Sequence, residues 1–179
     1  MVIAYISLGT NLYKKYENIK NAIAYIAKSC KILDISSIYL TSPLENTKQP
    51  YFYNCVVKID TNLTPFSLLK LAKDIEKLMG RTYEKERYQP RIIDIDILFY
   101  GRKIINTKNL KIPHPKIQNR KFVIYPMEEI AKNFIHPTLH KKVFTLRLQL
   151  RKDISQYIKL VIPRKNILNY FKKLKLKLN

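Results

Sequence analysis

The chain has 179 residues, the size of one domain or of a domain with an extension, and 46% of them are hydrophobic, enough for a packed core. Thirty-four Lys+Arg against 13 Asp+Glu give a net charge of +21, with only 3 glycines and 9 prolines, which excludes a low-complexity or fibrous chain. No stretch is apolar for long enough to span a bilayer, and the start, MVIAYISLGTN, has neither a basic leader nor a small-residue cleavage site. Cys30 and Cys55 stand apart without metal-type spacing, so a reducing, cytoplasmic setting is expected. The charge has two readings. One is a polyanionic partner such as RNA or a phosphorylated substrate; the other is compositional drift in a Lys-, Ile-, Asn- and Tyr-rich chain.

Val2–Leu8 is an apolar run ending at Gly9-Thr10-Asn11, a strand followed by a turn. Ile19, Ala22, Ile23 and Ile26 recur at helical spacing and predict a helix over Tyr16–Ala27. Ile32–Leu40 reads as a strand, Thr41–Pro50 as a loop and Tyr51–Ile59 as a strand. Thr64-Pro65 is a helix start, with Thr as N-cap and Pro in the first turn, and Gly80 is its stop. A charged loop over Arg81–Gln89 leads to a strand at Ile92–Tyr100, and Gly101 turns the chain into a hairpin at Lys103–Ile105. Lys111–Asn119 reads as irregular, Pro126–Lys132 as a short helix, and Ile154–Leu160 and Ile167–Leu178 as helices. The order β-α-β-β-α-β predicts an α+β, ferredoxin-like antiparallel sheet with helices packed on it, plus a basic C-terminal extension, in a single domain.

Asp94 and Asp96 sit two apart on a predicted strand, so both carboxylates leave one face with Cα atoms roughly 6.5–7 Å apart. Carboxylates converging this way repel each other unless a cation joins them, and magnesium takes few protein carboxylates, filling its shell with water and phosphate oxygens. An exposed strand face with two solvated acids is the alternative. Arg81, Arg87 and Arg91 lie just upstream. Guanidinium groups match phosphate bidentately, so acids plus arginines form the set that phosphoryl transfer uses; surface salt bridges are the other possibility. Neither a Walker loop nor a dinucleotide glycine fingerprint is present.

The stretch R-Y-Q-P-R-I-I-D-I-D-I-L resembles the R-W-G-P-R-x-x-D-[LIV]-D-[LIVM]-[LIVM] motif of the 6-hydroxymethyl-7,8-dihydropterin pyrophosphokinase family. A-Y-I-S-L-G-T-N-L, S-S-I-Y-L-T-S-P-L, Q-P-Y-F-Y-N-C-V-V, I-E-K-L-M-G-R and I-P-H-P-K-I-Q-N-R-K-F are similar to further landmarks in the same order, covering residues 1–138. The resemblance implies transfer of diphosphate from ATP to a pterin alcohol in folate synthesis, by a monomer without specific nucleic-acid or membrane partners. It implies two Mg2+ ions on Asp94 and Asp96, and phosphate contacts from Arg81, Arg87, Arg91, Arg120 and His114. Ile97, with Leu98, is implied on the adenine side, and Glu76 matches an acid near the ATP site. The pterin is expected between Tyr53 and Phe122, with Asn54, Asp94 and the Thr41–Leu44 loop (Thr41, Pro43, Leu44) at its edge. The Thr82–Gln89 loop is implied as a lid carrying Tyr88 where the family has tryptophan. Gln89, Tyr83 and Pro115 also depart from the family pattern, which predicts slower closure or weaker ATP affinity with chemistry retained. The segment beyond about residue 140 matches poorly; a basic helix and a nucleic-acid-attracting arm both fit it. An RNA-binding ferredoxin-like module remains a competing reading of charge, fold and tyrosines.

Overall fold

The computed structural model describes residues 1–44, 48–81 and 89–173. The expectations for Tyr83, Arg87 and Tyr88, and the lid reading between 82 and 88, lie outside the described residues. Strand β1 (Val2–Thr10) is followed by helix α1 (Lys15–Ala27), which buries the expected Ile19, Ala22, Ile23 and Ile26. The next strand is split into β2 (Lys31–Ile35) and β3 (Ile38–Thr41). The break falls at Ser36 and Ser37. Ser36 N still donates to Val56 O (3.0 Å), but Val56 N donates to Ser36 Oγ (2.9 Å), which in turn donates to Ser37 O (2.8 Å), so one hydroxyl takes over one ladder bond there. Strand β4 (Phe52–Thr61) leads to α2 (Pro65–Leu78), whose N-cap Thr64 accepts from Ser67 N at 3.2 Å.

Strand β5 (Asp94–Tyr100) completes the set, and the antiparallel order β5-β1-β4 continues into β3, with β2 also pairing β4. This is the ferredoxin-like arrangement expected from the element order. The hairpin after Gly101 is a correction. Strand β6 (Ile105–Asn106) pairs with β7 (Lys111–Ile112), a two-residue strand inside the segment expected to be irregular, and makes its own small sheet apart from β5. A 3-10 turn (Ile117–Asn119) then enters α3 (Lys121–Ala131), which starts five residues before Pro126. Proline inside that helix forfeits only the bond to the Phe122 carbonyl, and the buried face of Val123, Ile124 and Met127 holds the rest. Helix α4 (Val143–Leu150) follows. Next comes β8 (Ile158–Ile162), where a helix over Ile154–Leu160 was expected. Helix α5 (Arg164–Lys173) then agrees with the second expected tail helix over its described part.

Two cores flank the sheet. On one face Ala4, Ile6, Leu8, Cys55, Val57, Ile95 and Ile97 meet α1 and α2, joined by Ile167 and Phe171 of α5. On the other, Tyr5, Val56, Leu98 and Phe99 meet Val123, Ile124 and Met127 of α3 and Val143, Leu146 and Leu150 of α4. Leu98 and Phe99 share that face because the β1–β5 register shifts between Tyr5 and Ile6, a bulge that leaves the alternation before it intact. Both cysteines are free and buried, and burial pushes the Cys55 thiol far up. Among the described residues no helix is long and apolar enough to cross a membrane.

Candidate active site

Helix α2 ends in a left-handed Gly80 (φ +88), with Gly80 N bonded to Lys77 O and Arg81 N bonded to Glu76 O, both at 3.0 Å. That Schellman-type closure turns the chain back on itself and aims the Arg81 side chain along the helix end. Its Nη1 lies 2.5 Å from Glu76 Oε1 and 2.5 Å from Asp94 Oδ1. Glu76 is wholly buried, and its Oε1 also accepts from Ile95 N at 2.7 Å while Oε2 takes Lys73 Nζ at 2.9 Å. This carboxylate therefore fixes α2, the start of β5 and the arginine together.

Arg91 approaches from the other side. Its Nη2 is 3.1 Å from Asp94 Oδ2, and its guanidinium lies over the Phe52 ring, 5.2 Å from the centroid. Asn11 accepts from Arg91 N at 2.7 Å and donates to Gln49 Oε1 and Pro50 O at 2.9 and 3.2 Å, tying the arginine's backbone to the residues just before β4. Arg91 Nε is buried with no hydrogen-bond partner among the described residues, a donor waiting for an acceptor such as a phosphate oxygen.

The two aspartates differ in their electrostatics. Burial alone would raise Asp94, but Arg91 and Arg81 more than offset it and hold its carboxyl below the usual range. Asp96 is pushed up to about 7, by burial first and then by the neighbouring Asp94 charge. His114 Nε2 is 3.9 Å from Asp96 Oδ2, too far for a hydrogen bond. Burial, and then Arg120, lowers His114 to about 4, so at neutral pH the imidazole is uncharged and this contact is no ion pair. His114 is seated by its own backbone N–H on Leu98 O (3.0 Å), between two prolines.

Burial and the neighbouring Asp94 charge together disfavour an Asp96 anion, and a cation beside the pair would relieve both. Hard oxygen donors in a pair suit magnesium, and no group of three or more candidate ligands competes with the pair among the described residues. In this arrangement each Asp94 oxygen is paired with an arginine, Oδ1 with Arg81 and Oδ2 with Arg91.

Asn54 faces the same side. Its Nδ2 donates to Thr41 Oγ1 at 2.7 Å, and its Oδ1 lies where a Cβ on Gly9 would sit, at 2.8 Å. Gly9→Ala therefore drives Asn54 off Thr41. Under about 2 kcal/mol lost in stability is the expected result in chemical unfolding. Pro43 is buried, Leu44 half exposed, and Arg120 stands over the Phe122 ring at 5.4 Å from its centroid.

Two expectations need correction. Tyr53 packs with the α1-side core, its ring 5.6 Å from Lys15 Nζ, on the opposite face from Asn54 and the acids. Strand alternation gives the reason: with Asn54 on the acid face, Phe52 shares that face and Tyr53 cannot. Phe52 is thus the aromatic residue on the acids' face, a placement that the same period of two carried in the sequence. Ile97 is also buried in the α1-side core, so only its backbone can serve an adenine-side contact.

Residues 5–132 match the family model described as 7,8-dihydro-6-hydroxymethylpterin-pyrophosphokinase. The Folic acid synthesis protein FOL1 of Dictyostelium discoideum is 46% identical over 83% of this chain, but the chain spans only 22% of that relative, and 21% and 23% of the Folic acid synthesis proteins fol1 of Pneumocystis carinii and Schizosaccharomyces pombe. The 2-amino-4-hydroxy-6-hydroxymethyldihydropteridine pyrophosphokinase of Aquifex aeolicus is 40% identical over 79% of this chain and 88% of its own length. A Plasmodium falciparum HPPK-DHPS triple mutant crystallised with SDX-DHP shares the fold, with a TM-score of 0.69 at 19% identity, over 86% of this chain and 46% of that one. The chain belongs to the 7,8-dihydro-6-hydroxymethylpterin-pyrophosphokinase family.

Proposed function

We propose that this chain, acting as a single pyrophosphokinase domain and a monomer, moves the β,γ-diphosphate of ATP onto the hydroxymethyl oxygen of 6-hydroxymethyl-7,8-dihydropterin. The observation that carries the reading is the cluster of Asp94, Asp96, Arg81 and Arg91, with Asn54 and Phe52 on the same face. The pterin oxygen attacks the β-phosphorus in line, the bond to the α,β-bridging oxygen breaks, and AMP leaves with that oxygen. Two magnesium ions held by Asp94 and Asp96 would neutralise the phosphate chain and polarise both reacting oxygens.

The chain's own residues supply the rest. Arg91, with Nε unpaired, and Arg81 bind phosphate oxygens once they release Asp94. Arg120 adds charge beside the neutral His114, which can donate or accept at the phosphates without repelling a cation. Phe52 and Phe122 offer the two stacking faces, and Asn54, held by Thr41, reads the polar edge of the ring. No nucleophilic side chain is required; orientation and charge neutralisation provide the acceleration.

The RNA-binding alternative fits less well, because α3 and α4 cover the sheet face that such modules leave open for stacked bases. The test is AMP formation from ATP and magnesium, with and without the pterin alcohol. Dependence on the pterin is expected. Phe52→Ala should raise the pterin KM about tenfold or more, whereas Tyr53→Ala should change it less than about threefold. AMP release independent of pterin rules out the activity, and the reverse order of the two variants rules out the stacking assignment.

A further inference from the structure

Helix α3 begins at Lys121, flanked by Arg120 and Phe122, yet its N-cap Arg120 supplies no side-chain bond to the exposed backbone donors of the first turn. The missing acceptor comes from 35 residues downstream: Lys121 N donates to Gln156 Oε1 at 2.9 Å. The other end of that amide is also engaged, with Gln156 Nε2 donating to Asn119 O at 2.8 Å and to Asp153 Oδ2 at 2.6 Å. Gln156 is buried, at 8% exposure. The buried Lys121 ammonium is received by the carbonyls of Asp153 and Gln156. The next residue holds the opposite wall. Ser42 N donates to Tyr157 O (3.2 Å), and Tyr157 N donates to Ser42 Oγ (3.1 Å). From there β8 pairs with β3, Thr41 facing Ile158. The Tyr157 ring also leans on Tyr51, centroids 5.7 Å apart.

Building on the function proposed above, we infer that segment 153–158, which lies outside the family match to residues 5–132, completes the substrate site, with Gln156 as a positioning residue. Gln156 fixes the start of α3, and with it Arg120 and Phe122. Tyr157 fixes the loop that follows Thr41. Two walls of the site, contributed by distant parts of the chain, are held in register by adjacent residues of one strap. A glutamine suits this place because one planar group must both accept from a helix N–H and donate to a carbonyl, which an apolar or purely anionic side chain cannot do.

The experiment measures both Michaelis constants for AMP formation, and separately the calorimetric Kd of a non-hydrolysable ATP analogue with magnesium. Gln156→Leu, of similar volume, should raise the ATP-analogue Kd and both KM values about tenfold with kcat within about threefold. Gln156→Glu, which keeps the acceptor for Lys121 N, should recover part of the loss. Ser42→Ala, which removes the acceptor for Tyr157 N, should raise the pterin KM and leave the nucleotide Kd unchanged. Lys159→Ala, exposed on β8, serves as the control. Failure of the unaltered chain to form AMP counts against the proposed activity, while the analogue Kd still tests the strap. A Gln156→Leu protein with lower melting temperature but unchanged Kd and KM values overturns the inference. If that variant does not fold, an unchanged pterin KM in Ser42→Ala overturns it.

Discussion

Asp96→Asn should lower turnover by about a thousandfold or more and, in the absence of metal, make the protein more stable at pH 8. The sign follows from the raised carboxyl. Asp96 has an ordinary value of 3.8 when unfolded and about 7 when folded, so the folded protein binds its proton more tightly. The group adds no penalty below about pH 4. The penalty grows as pH rises toward 7 and stays constant above, because folding then forces a charge beside Asp94. With 34% of the side chain in water, screening limits the gain from neutralising it to about 1 kcal/mol. The two proteins should melt together below about pH 4, separate as pH rises toward 7 and keep that gap above it, with saturating magnesium and nucleotide restoring the wild type's advantage. Equal melting temperatures at pH 8, or full activity in the variant, would show that Asp96 is neither strained nor required.

Glu76→Leu should cost about 3–5 kcal/mol, a drop of roughly 10 °C in melting temperature for a chain of this size. The wholly buried carboxylate holds Arg81, Lys73 and Ile95 N at once, and removing it takes a counter-charge from two cations and the acceptor from a buried backbone donor. Glu76→Gln should cost less, since Oε1 can still accept from Ile95 N. Arg81 would lose its buried anchor and keep Asp94 and the Ile93 carbonyl, so nucleotide affinity should fall even where the protein remains folded. Chemical denaturation gives the first quantity and nucleotide titration the second. A Glu76→Leu protein within 1 kcal/mol of the parent would mean that the carboxylate contributes little.

The apolar periods at Ile19–Ile26 and the cap at Thr64 named their helices directly, and the element order dictated the strand order. The acids were legible because a period of two places Asp94 and Asp96 on one face whatever surrounds them. The site's outer parts were harder to read for three physical reasons. Tyr53 and Phe52 are adjacent aromatics, and only anchoring the alternation on Asn54 separates them. The Ile158–Ile162 run is short, and whether it forms helix or strand depends on the free edge that β3 offers, a tertiary fact without local trace. Pro126 suggested a helix beginning, yet α3 tolerates it because packing on Val56 and Leu98 outweighs one lost bond. Gln156 carried no signal at all, since a cap supplied from 35 residues away has no spacing rule.

Cys55 sits at the centre of β4 with no accessible surface, its thiol held protonated by burial. An alkylating reagent can capture it only during excursions in which the sheet comes apart and water enters. Because β4 pairs with β1 on one side and with β2 and β3 on the other, such excursions sever the scaffold that carries Asn54 and, through β1, the paired aspartates. The rate of thiol capture is therefore an intrinsic clock for global opening, readable without any added label and independent of turnover.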